Sequence, residues 1–359
     1  MNHTPRSLGL RLVFLVLPLL VALFVSAVIL LLLNQEPGEV LRQAWRGAFG
    51  NERRIASVLN YWIPLSFAAM GLVITFRAGL WNIGIEGQMI MGAVFATYIP
   101  LYVPLPPILS ISLSLVLAAT GGAIWAVLVG VLRNRFGVHE IFGGVALNAI
   151  AAGISLYLVR GPWALVGNNN QTPVFPRETW LPTISDRFGV SQLMLILLVI
   201  AVLSIIFLMD RSRWGLQLKA TGRNRQSALL LGVSVRSVSL SAFILCGALA
   251  GIGGAHRVLH TYHYLLPNVA GGIGFLGLLV VMLSGFHAAI VPLVAYFMAA
   301  LSAGSTRFQT LLRLDPSLID VLQGILVLTY VLFSGIQDRF FPRIREGNEE
   351  MKKEITTNE

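Results

Sequence analysis

Apolar runs of about 20 residues, separated by short polar or basic segments, recur along nearly the whole chain. A helix of ~20 residues is about 30 Å long, the thickness of a bilayer's hydrocarbon core. The pattern predicts ten spans, at 8–33, 56–76, 84–103, 107–132, 140–159, 191–209, 237–256, 270–286, 288–305 and 317–336. Only a break at Ser284–His287 separates the eighth from the ninth. Segment 8–33 follows Arg6 and Arg11, is too long for the core of a cleaved signal peptide, and has no small-x-small site behind it, so it is expected to be a first span. Segment 35–55 (EVLRQAWRGAFGNERRI over 39–55) mixes arginines with apolar residues and predicts an amphipathic helix lying at the outer surface. The expected fold is an all-α polytopic membrane protein, with a single transmembrane domain over 1–336 and a charged cytoplasmic tail over 337–359.

Composition removes the soluble alternatives. The chain is 56% hydrophobic and 12% charged, against about 25% charged in soluble domains. Its mean hydropathy is +0.77. The net charge of +10 is carried almost wholly by arginine, since Lys219, Lys352 and Lys353 are the only lysines. With the N-terminus in the cytoplasm, 16 of the 26 basic residues fall on the inner side, which orients the spans and makes nucleic acid an unneeded explanation. Cys246 is the single cysteine, so no intrachain disulfide is possible and a packing role is expected.

Two hydrophilic segments interrupt the spans. The outer loop 160–190 is rich in Pro, Asn and Trp; it reads either as a connector with Trp163 and Trp180 at the interface or as a docking surface. The inner loop 210–236 is basic and contains a predicted short helix from Arg223 to Leu231, ended by Gly232. It reads either as a positive-inside anchor or as a contact for another protein.

Candidate chemistry lies in polar groups set among apolar spans. Residues 77–93 (RAGLWNIGIEGQMIMGA) hold Asn82, Glu86 and Gln88; a second set is His139, Glu140 and Asn148, and Asp320 and Gln323 form a third. An ionised group at mid-membrane is costly, so such residues face one another or a water-filled interior. Glu140, Gly144 and Asn148 share one helix face. Helix-packing hydrogen bonds and a solute path both remain open for these groups. The glycines at 271, 272, 274 and 277, with Phe275, mark close packing or a broken helix, and Gly247 with Gly251 forms a GxxxG packing motif. His256, His260 and His263 fall on one face if the seventh span extends that far; with no carboxylate beside them, an interface belt with Tyr262 and Tyr264 is favoured over a metal site. The chain has no G-x-x-x-x-G-K-[ST] phosphate loop, HEIFG at 139–143 lacks the second histidine of a zinc-protease motif, and no G-x-S-x-G elbow occurs. Hydrolysis of ATP by a P-loop in this chain is excluded.

Four stretches, in order along nearly the whole chain, carry a family resemblance. FRAGLWNIGIEGQMIMGA at 76–93 resembles the signature of the nucleoside branch of bacterial ABC-transporter permeases, within the wider group serving simple sugars and branched-chain amino acids. VHEIFGGVALNAIA at 138–151 is similar to that family's Val-Asn-Glu-Val…Leu-Asn stretch, with His139 in place of the usual Asn. LKATGRNRQSALLLGVSV at 218–235 resembles its cytoplasmic coupling loop, and GGIGFLGLLVVMLSG at 271–285 its glycine-phenylalanine segment. GFHAAIVPL, from Gly285, departs from relatives that are often Asn-rich there.

The resemblance implies a type II-importer-like permease of about ten helices in a bacterial inner membrane, not itself an enzyme. It further implies a second, non-identical permease subunit, a tandem ATPase subunit that binds ATP and Mg, and an extracytoplasmic substrate-binding lipoprotein. No cofactor is expected in this chain. On this reading Asn82, Glu86, Gln88, Glu140, Asn148 and Phe275 line the path or its gate, and Gly222, Arg223, Asn224, Arg225, Ala228 and Gly232 couple to the ATPase. The expected solute is a nucleoside. A simple-sugar importer, or a secondary transporter using Glu86 or Glu140 to carry protons, is the competing expectation.

Overall fold

The computed structural model describes residues 6–167, 170–185, 188–304 and 317–340. Among them run thirteen α-helices: α1 Arg6–Leu32, α2 Pro37–Phe49, α3 Glu52–Arg77, α4 Ile85–Tyr102, α5 Pro107–Phe136, α6 Glu140–Arg160, α7 Gln192–Arg211, α8 Arg213–Arg223, α9 Arg225–Leu230, α10 Val235–His256, α11 Ile273–Leu283, α12 Val291–Gly304 and α13 Ser317–Phe340. The described residues form no strand, and the bridge of Thr183 with Ser191 is isolated. The charged tail expected beyond Phe340 lies outside the described residues.

The chain forms two compact units, Met1–Gly47 with Gly304–Glu359, and Ala48–Ala303. In the first, α1 packs on α13, and α2 leaves the end of α1 at 109°. α2 is amphipathic as expected: Val40, Gln43 and Ala44 are buried, while Leu41, Arg42, Trp45 and Arg46 are exposed. Its companion stretch from Glu52 onward is already the first turn of α3, which Asn51 caps by accepting a hydrogen bond from the Arg54 N–H at 3.0 Å.

The second unit is built around α4, which packs against α5, α6, α10 and α11. Every residue from Ile85 to Val94 is buried. Small residues let these backbones meet. A Cβ on Gly251 would lie 2.0 Å from the carbonyl oxygen of Ala118, and one on Gly122 would lie 2.1 Å from that of Gly247. The GxxxG of α10 is therefore a packing surface, as expected where lipid supplies no hydrophobic drive between helices. α7 has the inverse character: only Met194, Leu198, Ile205 and Met209 are buried, and Ile196, Val199, Ile200, Leu203 and Phe207 are exposed, as suits a helix bathed in hydrocarbon.

Five described helices are long and apolar enough to cross a membrane, or six if the bent pair of α1 and α2 is one span. They do not reach the ten expected for identifiable reasons. α4 has 18 residues but carries Glu86 and Gln88, tolerated because protein rather than lipid surrounds it. The expected spans at 270–286 and 288–305 are the short helices α11 and α12, of 11 and 14 residues. The seventh span is longer than expected, because α10 continues as a π-helical turn over Arg257–Tyr262.

Candidate functional site

α3 ends where Gly79 takes φ +70 and the Leu80 N–H reaches back to the Thr75 carbonyl at 2.9 Å, a left-handed helix stop that favours glycine. The turn that follows, up to Gly84, is the point on which the predicted polar residues converge. Asn82 and Gln88, both fully buried, exchange reciprocal amide hydrogen bonds of 3.1 and 3.0 Å. The Asn82 amide also reaches the sulfur of Cys246 at 3.1 Å. Asn148, from α6, accepts from the Gly87 N–H at 2.8 Å and donates to the Ile83 carbonyl at 2.9 Å. Glu140, two turns before Asn148 on the same face of α6, accepts from Arg133 at 2.9 Å and more weakly from the Trp81 N–H at 3.4 Å. Burial makes each of these partners obligatory, since an unpaired polar group away from water is expensive.

Glu86 is held differently. Its two carboxylate oxygens accept the N–H groups of Gly272 at 2.7 Å and Gly274 at 2.8 Å, at the N-terminus of α11. Helix N-termini present unsatisfied donors and partial positive charge, so a carboxylate there is compensated without a full counter-ion. Gly272, at φ +81, makes the turn. Gly274 leaves room for the acid: a Cβ there would lie 2.7 Å from Glu86 Oε2. The glycine-phenylalanine segment is thus a helix start and a close-packing site at once. Phe275, next along, is 44% exposed.

The structure therefore brings Asn82, Glu86, Gln88, Glu140 and Asn148 to one turn, while Phe275 faces outward from the helix that Glu86 caps. Sequence reasoning missed Arg133, Gly272 and Gly274 as partners. Arg133 was legible as a basic residue seven positions before Glu140; the two glycine amides were not, because backbone donors leave no side-chain signature. Asp320 lies within α13 and Gln323 is buried there. Asn148→Leu is expected to strand the Gly87 N–H and Ile83 carbonyl and to destabilise the protein by about 2–4 kcal/mol, with thermal unfolding of the purified protein as the check; an unchanged midpoint would show that the clamp is dispensable.

The inner loop differs from expectation. The predicted helix Arg223–Leu231 is two helices: Arg223 closes α8, and Asn224, extended at φ −154, breaks the chain and caps α9 by accepting from the Ser227 N–H at 3.0 Å. Asn224 is a good N-cap for the same reason that it is a poor helix interior. Gly232, at φ +80, follows α9 as expected. Ala228 is buried, whereas Leu229, Leu230 and Leu231 are 55%, 89% and 79% exposed. α8 is seated on the end of α3 at Gly222, where a Cβ would lie 2.2 Å from the Arg77 carbonyl oxygen.

On the opposite side, the outer loop is zipped to the end of the α10 extension. The N–H groups of Phe175 and Leu181 donate to the carbonyls of His263 and Leu259 at 2.8 and 3.2 Å, and Trp180 stacks on His263 with ring centroids 3.5 Å apart. Burial and the neighbouring His260 push the His263 imidazole, beyond the span's end at Tyr262, down to about 4. Among the described residues no group of three or more His, Cys, Asp or Glu is arranged to hold a metal ion.

The chain is 29% identical to a glucose ABC transporter permease protein of Haloferax volcanii, over 92% of this chain and 89% of that one. It is 28% identical to a guanosine ABC transporter permease protein of Bacillus subtilis, over 89% and 93%, and 25% identical to a nucleoside ABC transporter permease protein of Lactococcus lactis subsp. cremoris, over 85% of each. Residues 54–331 match the family described as branched-chain amino acid transport system / permease component, and on that match the chain belongs to this family of multi-pass membrane permeases.

Proposed function

We propose that this chain is one permease subunit of an ATP-driven importer of nucleosides in the bacterial inner membrane. The observation that carries the coupling part is the seating of α8 and α9. α9 and the residue after it present three exposed leucines, Leu229, Leu230 and Leu231, to a partner, and α8 presses backbone to backbone on Arg77 and Gly79, at the head of the turn that leads to Asn82, Glu86 and Gln88. Contact this tight transmits displacement instead of absorbing it. A push on α9 from an ATPase subunit would move the turn and, through the Glu86 carboxylate, the start of α11. This is a rigid-body switch driven from outside the chain. Phe275 is the predicted path residue open to a solute or to a second, non-identical permease subunit, while the buried amides keep the turn in shape. The outer loop offers a preformed surface to a substrate-binding lipoprotein.

The guanosine and nucleoside relatives support the solute class. The glucose relative, of similar identity, keeps simple sugars as the second reading. Uptake into vesicles holding the full transporter and its binding protein tests both. The expected result is nucleoside uptake that stops on ATP depletion, survives collapse of the proton gradient and resists excess glucose. Uptake that needs the proton gradient but not ATP would sink the ABC mechanism; competition by glucose alone would overturn the solute class.

The coupling surface gives a separate prediction. Leu230→Ala and Arg223→Glu are expected to lower co-purification of the ATPase by about tenfold, the scale of an anchor residue at an interface, with membrane insertion unchanged. Normal recovery of the ATPase with both variants would count against α8 and α9 as its seat.

A further inference from the structure

We infer that the groove between the end of α5 and the start of α10 binds the phosphate headgroup of an anionic glycerophospholipid. The two helices run antiparallel and touch closely at Gly122 with Gly247, then at Gly130, where a Cβ would lie 3.0 Å from Leu240. A groove lies beside that contact. The opening is lined by Val131, Asn134, Arg135, Arg236, Ser237 and Leu240. Its volume is about 500 Å³, far more than one ion needs and within the range of small-molecule clefts.

The chemistry of the lining selects the ligand. Arg135 and Arg236 are exposed and take part in no ion pair among the described residues. They come from different helices, so their charges add at one place. Guanidinium groups suit phosphate oxygens in particular. The groove also lies at the first turn of α10, whose cap residue Ser234 makes no side-chain capping bond, so the Arg236 and Ser237 amides add donors for an anion. Ser237 is exposed on the groove wall, and its hydroxyl can pair with a hydroxyl of the headgroup. Val131 and Leu240 give the groove an apolar wall where acyl chains begin. Phosphate, hydroxyl and hydrocarbon occur together in a glycerol-headed phospholipid. The positive-inside bias puts this end of α5 and α10 at the inner leaflet, where anionic lipid meets basic side chains.

The test uses the full transporter, stripped of lipid in detergent and titrated with phosphatidylglycerol or phosphatidylcholine under native mass spectrometry. The wild type is expected to retain phosphatidylglycerol in preference to phosphatidylcholine. Arg135→Gln with Arg236→Gln is expected to weaken that retention on the order of 30-fold, from about fivefold per basic residue near an anionic surface. Ser237→Trp, which fills the groove without removing charge, is expected to weaken it as well, and Arg211→Gln, at the end of α7, is not. Equal retention by the double variant, or equal weakening by Arg211→Gln, would overturn the site. Displacement of the lipid by inorganic phosphate at equal concentration would reassign it to a free anion. Loss of the ATPase from the double variant with lipid retention intact would make the groove a protein contact and overturn the inference.

Discussion

Glu86→Ala is expected to destabilise the protein by about 2–6 kcal/mol, because it strands two buried backbone donors at ~1–3 kcal/mol each. The donors are the N–H groups of Gly272 and Gly274, and the protein loses with them the anion that complements the N-terminus of α11. Glu86→Gln is expected to fall between wild type and alanine. Its carbonyl oxygen can accept one of the two N–H groups, while its own NH₂ meets the other donor to donor. Glu86→Asp is one methylene short of spanning both. Thermal unfolding of the purified transporter orders the four proteins, and vesicle uptake measured alongside separates two roles. A staple predicts that stability and uptake fall together in that order. A carboxylate that carries protons or contacts solute predicts a loss of uptake in Glu86→Gln with unfolding unchanged, and that outcome would remove the staple from the mechanism.

Gly251→Val is expected to cost at least about 3 kcal/mol, beyond ordinary overpacking, which runs ~1–3 kcal/mol when side chains can move aside. Here they cannot. The added Cβ meets the Ala118 carbonyl oxygen at 2.0 Å, so relief requires α10 and α5 to part. Gly92 faces the same place from α4, where a Cβ would lie 2.2 Å from the Gly251 Cα. Three backbones thus meet at one point of the unit, and separating one pair loosens the third. The expected result by size-exclusion of the solubilised protein is loss of the monodisperse peak. Gly153→Ala in α6 is the control, since nothing lies within 4 Å of a Cβ there. A monodisperse Gly251→Val with an unshifted midpoint would show that the three-helix contact does not hold the unit together.

The same contrast explains which readings were legible in the sequence. GxxxG at Gly247 and Gly251 named its own role, because the absence of a side chain at helical spacing has one main physical use in a membrane. The amphipathic period of 37–49 was equally open. Asn224 sets the start of α9: its side chain serves better as a cap than within a helix, so the helix expected over 223–231 begins at Arg225. The short helices α11 and α12 look like whole spans in the sequence because apolar runs do not announce where a helix breaks.

Apolar runs, arginine bias and the polar islands at 82–88 and 140–148 are properties of residues near one another in the chain. They determined that the protein is an α-helical membrane protein and which side chains had to find partners. The tertiary structure alone decided who the partners are. Glu86 is answered by backbone amides 186 and 188 residues away, and Asn148 by the backbone of a turn 61 to 65 residues before it. The groove at Arg135 and Arg236 exists only because the fold sets the end of α5 beside the start of α10. Every residue offers backbone donors and acceptors of the same kind, so only the folded geometry selects which of them a buried side chain meets.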